Sequence, residues 1–384
     1  MALSFQKELN QVLFEENAGV RKVILNRPKK LNILNYEMVC QMLKKLEAYE
    51  NDPTVKLVIL KGNGKAFCAG GDVTAVITFI TTGHWSFGAS FYRKQLALDY
   101  LLGTYKKPLV SLINGFVMGG GAGISMHATF RIVTEKTVFA MPETSIGLFP
   151  DVGASHFLSR LPGFFGEYLG LTGARLDGIE MLTCGLATHF VNSKDLDSLE
   201  IALNAAGYSD TLDIMTISKI INKFVQKVHI KQDSSYRRLE IINKCFSRET
   251  VEEILSSLEK LVVNNEETWI IEAINSMKSA SPTSLKIFLR SIREGRTQKL
   301  KQCLVREFNV LCHIMRRTIH DDFFEGSRAM FFDKDKRPQW KPSKLEQVSE
   351  EMVNQCSNNI DDDDWVTLQI PTRSMPTFTV QSKI

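Results

Sequence analysis

Two glycine-rich turns, each placed just after an apolar run of buried-strand type, constrain this chain more than any other feature. The first is Ala66-Phe67-Cys68-Ala69-Gly70-Gly71-Asp72, and the second is Asn114-Gly115-Phe116-Val117-Met118-Gly119-Gly120-Gly121-Ala122-Gly123. The runs ahead of them, residues 55–61 and 108–114, are apolar and β-branched, and residues 130–133 and 138–140 are shorter runs of the same kind. Glycine between a strand and a helix lets the main chain approach a ligand closely and leaves N–H groups free at the helix start. Two such turns converging from neighbouring strands offer one N–H each to a carbonyl oxygen, which is the geometry of an oxyanion hole. Taken singly, each turn is equally compatible with phosphate binding or close packing. Neither is followed by the Gly-Lys-Ser/Thr of a P-loop.

Around these turns, residues 12–16 and 20–26 predict two strands joined at 17–19, and residues 36–51 predict a helix with Met38, Met42, Leu43 and Leu46 on one face. The rhythm is strand–strand–helix rather than strict alternation, so it does not spell a dinucleotide-binding domain. Residues 1–201 are expected to form one α/β unit. Residues 202–349 are mainly helical, with helices predicted at 214–228, 250–264, 267–280, 282–294 and 299–320; Pro282 suits a first helical position after Ser281. Residues 350–384 form a polar tail with four consecutive aspartates, Asp361 to Asp364, and are expected to be weakly ordered.

Composition narrows the function classes. With 384 residues, 44% hydrophobic and 23% charged, the chain has the make-up of a soluble globular protein with a sizeable core. A net charge of +4 is too small to imply nucleic acid, and no apolar run approaches the ~20 residues that cross a bilayer. Seven scattered cysteines, with no C-x-x-C pair and no zinc-ligand spacing, read as reduced thiols in an intracellular compartment, with no metal site. Lys7 and Glu8 interrupt any apolar leader, and the first arginine is Arg21, which argues against an Arg-rich transit segment. The closing Ser382-Lys383-Ile384 is similar to the S-K-L address, so a peroxisomal import receptor is an expected partner and the peroxisome the expected location.

Four segments in order carry a family resemblance: Leu25-Asn26-Arg27-Pro28-Lys29-Lys30-Leu31-Asn32, Phe67 to Asp72, Met118 to Gly121, and Val138-Phe139-Ala140-Met141-Pro142-Glu143. They resemble the successive signatures of the crotonase (enoyl-CoA hydratase/isomerase) superfamily. Within it, Glu143-Thr144-Ser145-Ile146-Gly147-Leu148-Phe149-Pro150-Asp151-Val152-Gly153, Ser281 to Lys286, Asp322 to Gly326 and Asp333 to Lys336 resemble the 3-hydroxyisobutyryl-CoA hydrolases, with the plant members nearest.

The resemblance implies a crotonase-like spiral of strand–strand–helix units with a helical C-terminal region. It also implies an acyl-CoA substrate, in which CoA is part of the substrate and no separate cofactor is needed. Carried over by position, it puts oxyanion-hole amides on Gly71 and Gly120 and makes Glu143 and Asp151 the catalytic and substrate-binding carboxylates. Glu143 would attack the thioester or activate the water that does. Asp151 would bind the substrate hydroxyl or handle water or its proton, against a plainer role as a loop cap. Asp72 suits a helix cap better than chemistry. Hydratases of the superfamily use a further glutamate just after the second turn; here that position is Gly123, which disfavours adding water to a double bond.

Gln95 falls where these hydrolases usually carry an acyl-pocket glutamate, and it keeps the shape but not the charge. Arg27, Lys29 and Lys30 match the adenine-side loop, and Lys334 and Lys336 are candidate phosphate contacts, each compatible with plain solvation. His127, His156 and His189 lack a Ser or Cys partner in a recognised motif, and Cys68 suits a small core residue. The expected reaction is hydrolysis of 3-hydroxyisobutyryl-CoA in valine breakdown. The alternatives are an enoyl-CoA hydratase or isomerase, or a non-catalytic acyl-CoA-binding relative; a homo-oligomer is compatible with the resemblance.

Overall fold

The computed structural model describes residues 10–262, 267–356, 358, 360, 362 and 366–374. Strands β1 (Val12–Asn17) and β2 (Val20–Leu25) pair antiparallel from Val12↔Leu25 to Asn17↔Val20. Helix α1 (Tyr36–Asn51) follows, capped by Asn35, whose side chain accepts from Met38 N. Met38, Met42 and Leu46 are buried on its inner face as the spacing predicts, joined by Val39, while Leu43 is only partly covered.

From there the chain repeats one unit. β3 (Leu57–Gly62) is followed by the short β4 (Ala66–Cys68), β5 (Leu109–Ile113) by β6 (Phe116–Met118), and β7 (Phe130–Val133) by β8 (Val138–Ala140). The first strand of each pair joins a six-stranded sheet ordered β1-β2-β3-β5-β7-β10, completed by β10 (His189–Phe190). The second joins a four-stranded sheet ordered β4-β6-β8-β9, completed by β9 (Leu176–Asp177). This is the spiral of strand–strand–helix units that the family resemblance implies. The glycine-rich segments differ from the reading as pure turns: each contains a three-residue strand, β4 or β6, held in parallel register at Ala66↔Phe116 and Cys68↔Val117.

The unbroken apolar run in β3 is explained by burial on both faces. Val58 and Leu60 face the main core. Leu57 and Ile59 face a second cluster with Leu199 and Leu203 of the helix Leu196–Ala206 and Ile217 and Ile221 of the helix Ile214–Asn222. Residue 202 therefore lies inside a helix that covers the sheet. The helix predicted over 214–228 stops at Asn222, because Val225 leaves it to form an antiparallel bridge with Val191.

Between the two glycine-rich segments lie α2 (Val73–Thr82) and α3 (Trp85–Gly103), and α4 (Gly120–Met126) starts inside the second. Further on, α5 (Pro282–Gly295) has Pro282 in its first turn and Ser281 as cap, accepting from Ser284 N. Helix α6 (Leu300–Met315) ends short of the predicted residue 320, where Arg317 takes a left-handed φ of 57°. A short α7 (Asp322–Ser327) follows.

The tail departs most from expectation. Its described part is anchored: Ile360, Leu368 and Ile370 are buried, and Arg373 reaches back to the buried Glu50 and, at 2.8 Å, to Thr104 Oγ1. Sparse apolar residues among polar ones suffice for a strap along a surface that already exists, and their spacing carries no periodic signal. The tripeptide Ser382-Lys383-Ile384 lies outside the described residues.

Candidate active site

The small sheet builds the site. Its three parallel strands β4, β6 and β8 end side by side, and each hands a critical residue to the same edge. After β4, Leu34 N donates to Gly70 O (2.8 Å) and Asp72 N to Leu34 O (2.7 Å). These bonds bracket Gly71 and leave its own N–H outside the ladder. After β6, Gly119 N donates to Ala140 O (3.4 Å), and Gly120 becomes the first residue of α4, where an N–H has no partner within the helix. A Cβ on Gly120 would stand 3.3 Å from Gly71 N, so the two main-chain segments touch. Asp72 caps α2 through Ala75 N (3.3 Å) and pairs with Arg27 (3.3 Å), so its carboxylate is committed to structure.

β8 delivers Glu143, which begins a short 3-10 turn, Glu143–Ile146. The residue is 6% exposed, and Oε1 sits 2.7 Å from where a side chain on Gly119 would begin. Gly119 has a φ of 46°, so only glycine combines that backbone with this approach. Oε2 has no hydrogen-bond partner among the described residues. Burial pushes the Glu143 pKa up to about 8, its own backbone amide opposing only in part.

The eight residues to Asp151 do fold back. Leu148 N donates to Glu143 O (3.1 Å), and Gly147 turns the chain in the left-handed region. Asp151 is 3% exposed, and its Oδ2 is also unpartnered among the described residues. The next residue, Val152, has a φ of 53°, a conformation that costs a β-branched residue roughly 1–3 kcal/mol. Glu307 of α6 holds that loop: it accepts from Gly153 N (2.7 Å), Ser155 N (3.2 Å) and Ser155 Oγ (2.5 Å). Burial, then the neighbouring Glu143 and Glu307, drive the Asp151 pKa well above the carboxylate range.

Gly71, Gly120, Gln95, Glu143 and Asp151 all line one cavity of about 440 Å³, so the structure brings together the five residues singled out from the sequence. The helical region closes around it. Ser281 N donates to Thr144 O (3.1 Å) and Ser281 Oγ to Asp322 Oδ2 (2.6 Å), tying α5 and α7 to the turn that carries Glu143. Met330 and Phe331, from a π-helical turn after α7, form part of the wall.

Several neighbours carried no readable signal. Tyr92, Phe91 and Arg175 line the cavity without any motif that marks them, and Glu307 sits unremarked within a long helical pattern. The other candidates lie apart from this chemistry. Cys68 is buried, with its thiol pushed up to about 12 by desolvation. His127 and His156 lie 6.2 Å apart, and burial lowers the pKa of both, to about 4 and about 3. Lys29, Lys30, Lys334 and Lys336 are exposed.

Gly123 explains itself sterically. A Cβ there would meet Val152 Cβ at 2.6 Å and Asp99 Oδ1 at 3.0 Å, so the volume a second glutamate needs is filled. We expect Gly123→Ala to lower stability by about 1–3 kcal/mol in urea unfolding, and Gly123→Glu to gain no hydration of crotonyl-CoA. A folded Gly123→Glu variant that consumes the enoyl absorbance would contradict this packing argument.

Comparison with known proteins agrees with the geometry. Residues 20–357 match the family model described as enoyl-CoA hydratase/isomerase. The chain is 54% identical over 365 residues to 3-hydroxyisobutyryl-CoA hydrolase 1 of Arabidopsis thaliana, covering 95% of each. It is 41% identical to small ribosomal subunit protein mS47 of the same plant, covering 94% of this chain and 88% of the relative. Among solved structures, a carnitinyl-CoA dehydratase from Mycobacterium thermoresistibile superposes with a TM-score of 0.83 at 32% identity, over 92% of this chain and 97% of the other. With its spiral, its paired main-chain turns and these relatives, the chain belongs to the enoyl-CoA hydratase/isomerase family, in the group of the 3-hydroxyisobutyryl-CoA hydrolases.

Proposed function

We propose that this chain hydrolyses 3-hydroxyisobutyryl-CoA to 3-hydroxyisobutyrate and CoA. The observation that carries the reading is the pairing of two buried carboxyl groups, Glu143 and Asp151, with the Gly71 and Gly120 turns around one cavity, while the volume beside Gly123 is filled. In this reading the thioester oxygen lies against the Gly71 and Gly120 amides, which stabilise the charge it gains as the carbon turns tetrahedral. Glu143, as the carboxylate, generates the oxygen nucleophile. Collapse of the intermediate breaks the C–S bond; the water oxygen stays with the acid, and one of its protons ends on the sulfur.

The two acids divide the work because both cannot easily ionise in one buried site. Glu143, at about 8, gives up its proton, while Asp151, pushed upward by burial and then by Glu143 itself, favours its protonated form and serves the substrate hydroxyl or the departing sulfur. The names of the relatives support the acyl group, and with it a place in valine breakdown; 3-hydroxypropionyl-CoA is a close analogue for the same pocket. Hydratase activity is the weaker reading because Gly123 has no side chain to move a proton. A ribosomal role, named for a relative at 41% identity, finds less support than hydrolysis, named for relatives at 52–54%. The terminal Ser382-Lys383-Ile384 supports delivery to the peroxisome.

The raised Glu143 pKa fixes the sign of the pH dependence. The carboxylate is the active form, so kcat/KM should climb about tenfold per pH unit below about 8 and level off above it. Glu143→Gln should lose at least ~10²-fold in thiol release and the acid limb with it. Ionising a buried acid also opposes folding, so Glu143→Gln should gain stability over the native chain as pH rises from the ordinary carboxyl range through about 8. Near-normal turnover by Glu143→Gln would refute the assignment. For the address, a fluorescent protein carrying residues 375–384 should enter peroxisomes and stay cytosolic without the last three; mitochondrial uptake of the full chain would overturn that part.

A further inference from the structure

Asp99 is a buried acid that the proposed reaction does not use. It lies on α3 one helical turn after Gln95, is 0% exposed, and has an unpartnered Oδ2 among the described residues. Its other oxygen, Oδ1, accepts from Gln95 Nε2 at 3.0 Å. Gln95 is 1% exposed and lines the cavity, yet its carbonyl Oε1 has no partner among the described residues. An amide buried with one end satisfied and the other bare is costly unless a ligand completes it.

The orientation follows from the partner. A glutamine side chain has a donor end and an acceptor end, and an ionised carboxylate can only accept. With Asp99 at Nε2, the end of the amide left without a partner among the described residues is Oε1, an acceptor, on a residue that lines the cavity. The Asp99 carboxyl lies over Gly123, where a Cβ would stand 3.0 Å from Oδ1. Burial first, then the charges of Asp151 and Glu307, hold its pKa well above the ordinary carboxyl range. A single proton on the unpartnered Oδ2 leaves Oδ1 an acceptor, so the arrangement stands in both protonation states.

We propose that Asp99 is a positioning residue that turns the Gln95 amide so that Oε1 accepts a hydrogen bond from the hydroxyl of a hydroxyacyl thioester. This rests on the hydrolase reading and deepens it. Gln95 then discriminates by what the substrate can donate: an acyl chain without the hydroxyl leaves Oε1 buried and bare, and is rejected for that reason. The neutral amide also adds no further acid beside Glu143 and Asp151.

The test compares kcat/KM for 3-hydroxyisobutyryl-CoA and isobutyryl-CoA, which differ only in the hydroxyl. The native chain should favour the hydroxyacyl thioester by at least ~10-fold. Asp99→Leu frees the amide and should erase most of that preference through the hydroxyacyl substrate, with isobutyryl-CoA turnover little changed. Gln95→Met, which keeps the length without the acceptor, should also erase most of the preference, and the double variant should lose no more of it than either alone. Asp99→Asn retains an acceptor for Nε2 and should rescue the preference, which also guards against a misfolded leucine variant.

A preference unchanged in Gln95→Met or Asp99→Leu, with hydrolysis intact, overturns this inference and leaves the hydrolase reading standing. Failure of Asp99→Asn to rescue also counts against it. A native chain that hydrolyses neither thioester takes down both.

Discussion

The close approach of the Glu143 carboxylate to the main chain at Gly119 is the contact on which the rest of the site depends. It exists because β4, β6 and β8 are short parallel neighbours that end at one level, so that two glycine turns and one acidic turn meet at a single edge. A side chain at 119 would displace the carboxylate, and one at 120 would crowd the Gly71 amide. Around this edge the C-terminal helices act as a brace. Ser281 binds both the Glu143 turn and α7, and Glu307 fastens the strained loop that follows Asp151. A strained φ at Val152 persists only where its surroundings over-determine it, and the three hydrogen bonds to Glu307 do so.

Desolvation dominates the electrostatics. Glu143, Asp151, Asp99 and Glu307 are four acids in one buried region, and burial is the leading cause of the upward shift in each. Like charges add to it at Asp151 and Asp99, while Glu307 is partly relieved by Ser155, Arg306 and two main-chain amides. Such an arrangement favours the protonated forms of these acids. It suits a reaction that needs one group to take a proton and another to keep one, and it makes the cavity inhospitable to two negative charges at once.

Much of this was legible in the sequence because the spiral's signals are local. An apolar run followed by glycines marks β3–β4 and β5–β6, and the Met-Pro-Glu segment marks the end of β8. What escaped was non-local. The three-residue strands β4 and β6 are too short for any periodicity and form only because each pairs with a neighbour. The helix after Ile214 ends where Val225 finds Val191, a partner more than thirty residues away. The strap to Glu50 rests on one arginine in a polar tail. Glu307 and Asp99 look like ordinary helical acids until the fold removes water from them. Gln95 read as a lost charge, whereas the acid stands one turn further along the same helix, against its amide.

The account turns on Glu143 being a carboxyl group that burial keeps protonated up to about pH 8. The most direct measurement is difference infrared spectroscopy of the native chain against Glu143→Gln across the pH range, following the C=O stretch of a protonated carboxylic acid. At pH 7 the native chain should show a protonated-carboxyl band that the variant lacks, and this band should vanish on titration through about 8. A Glu143 already ionised at pH 7, with its band lost in the ordinary carboxyl range, would contradict the account.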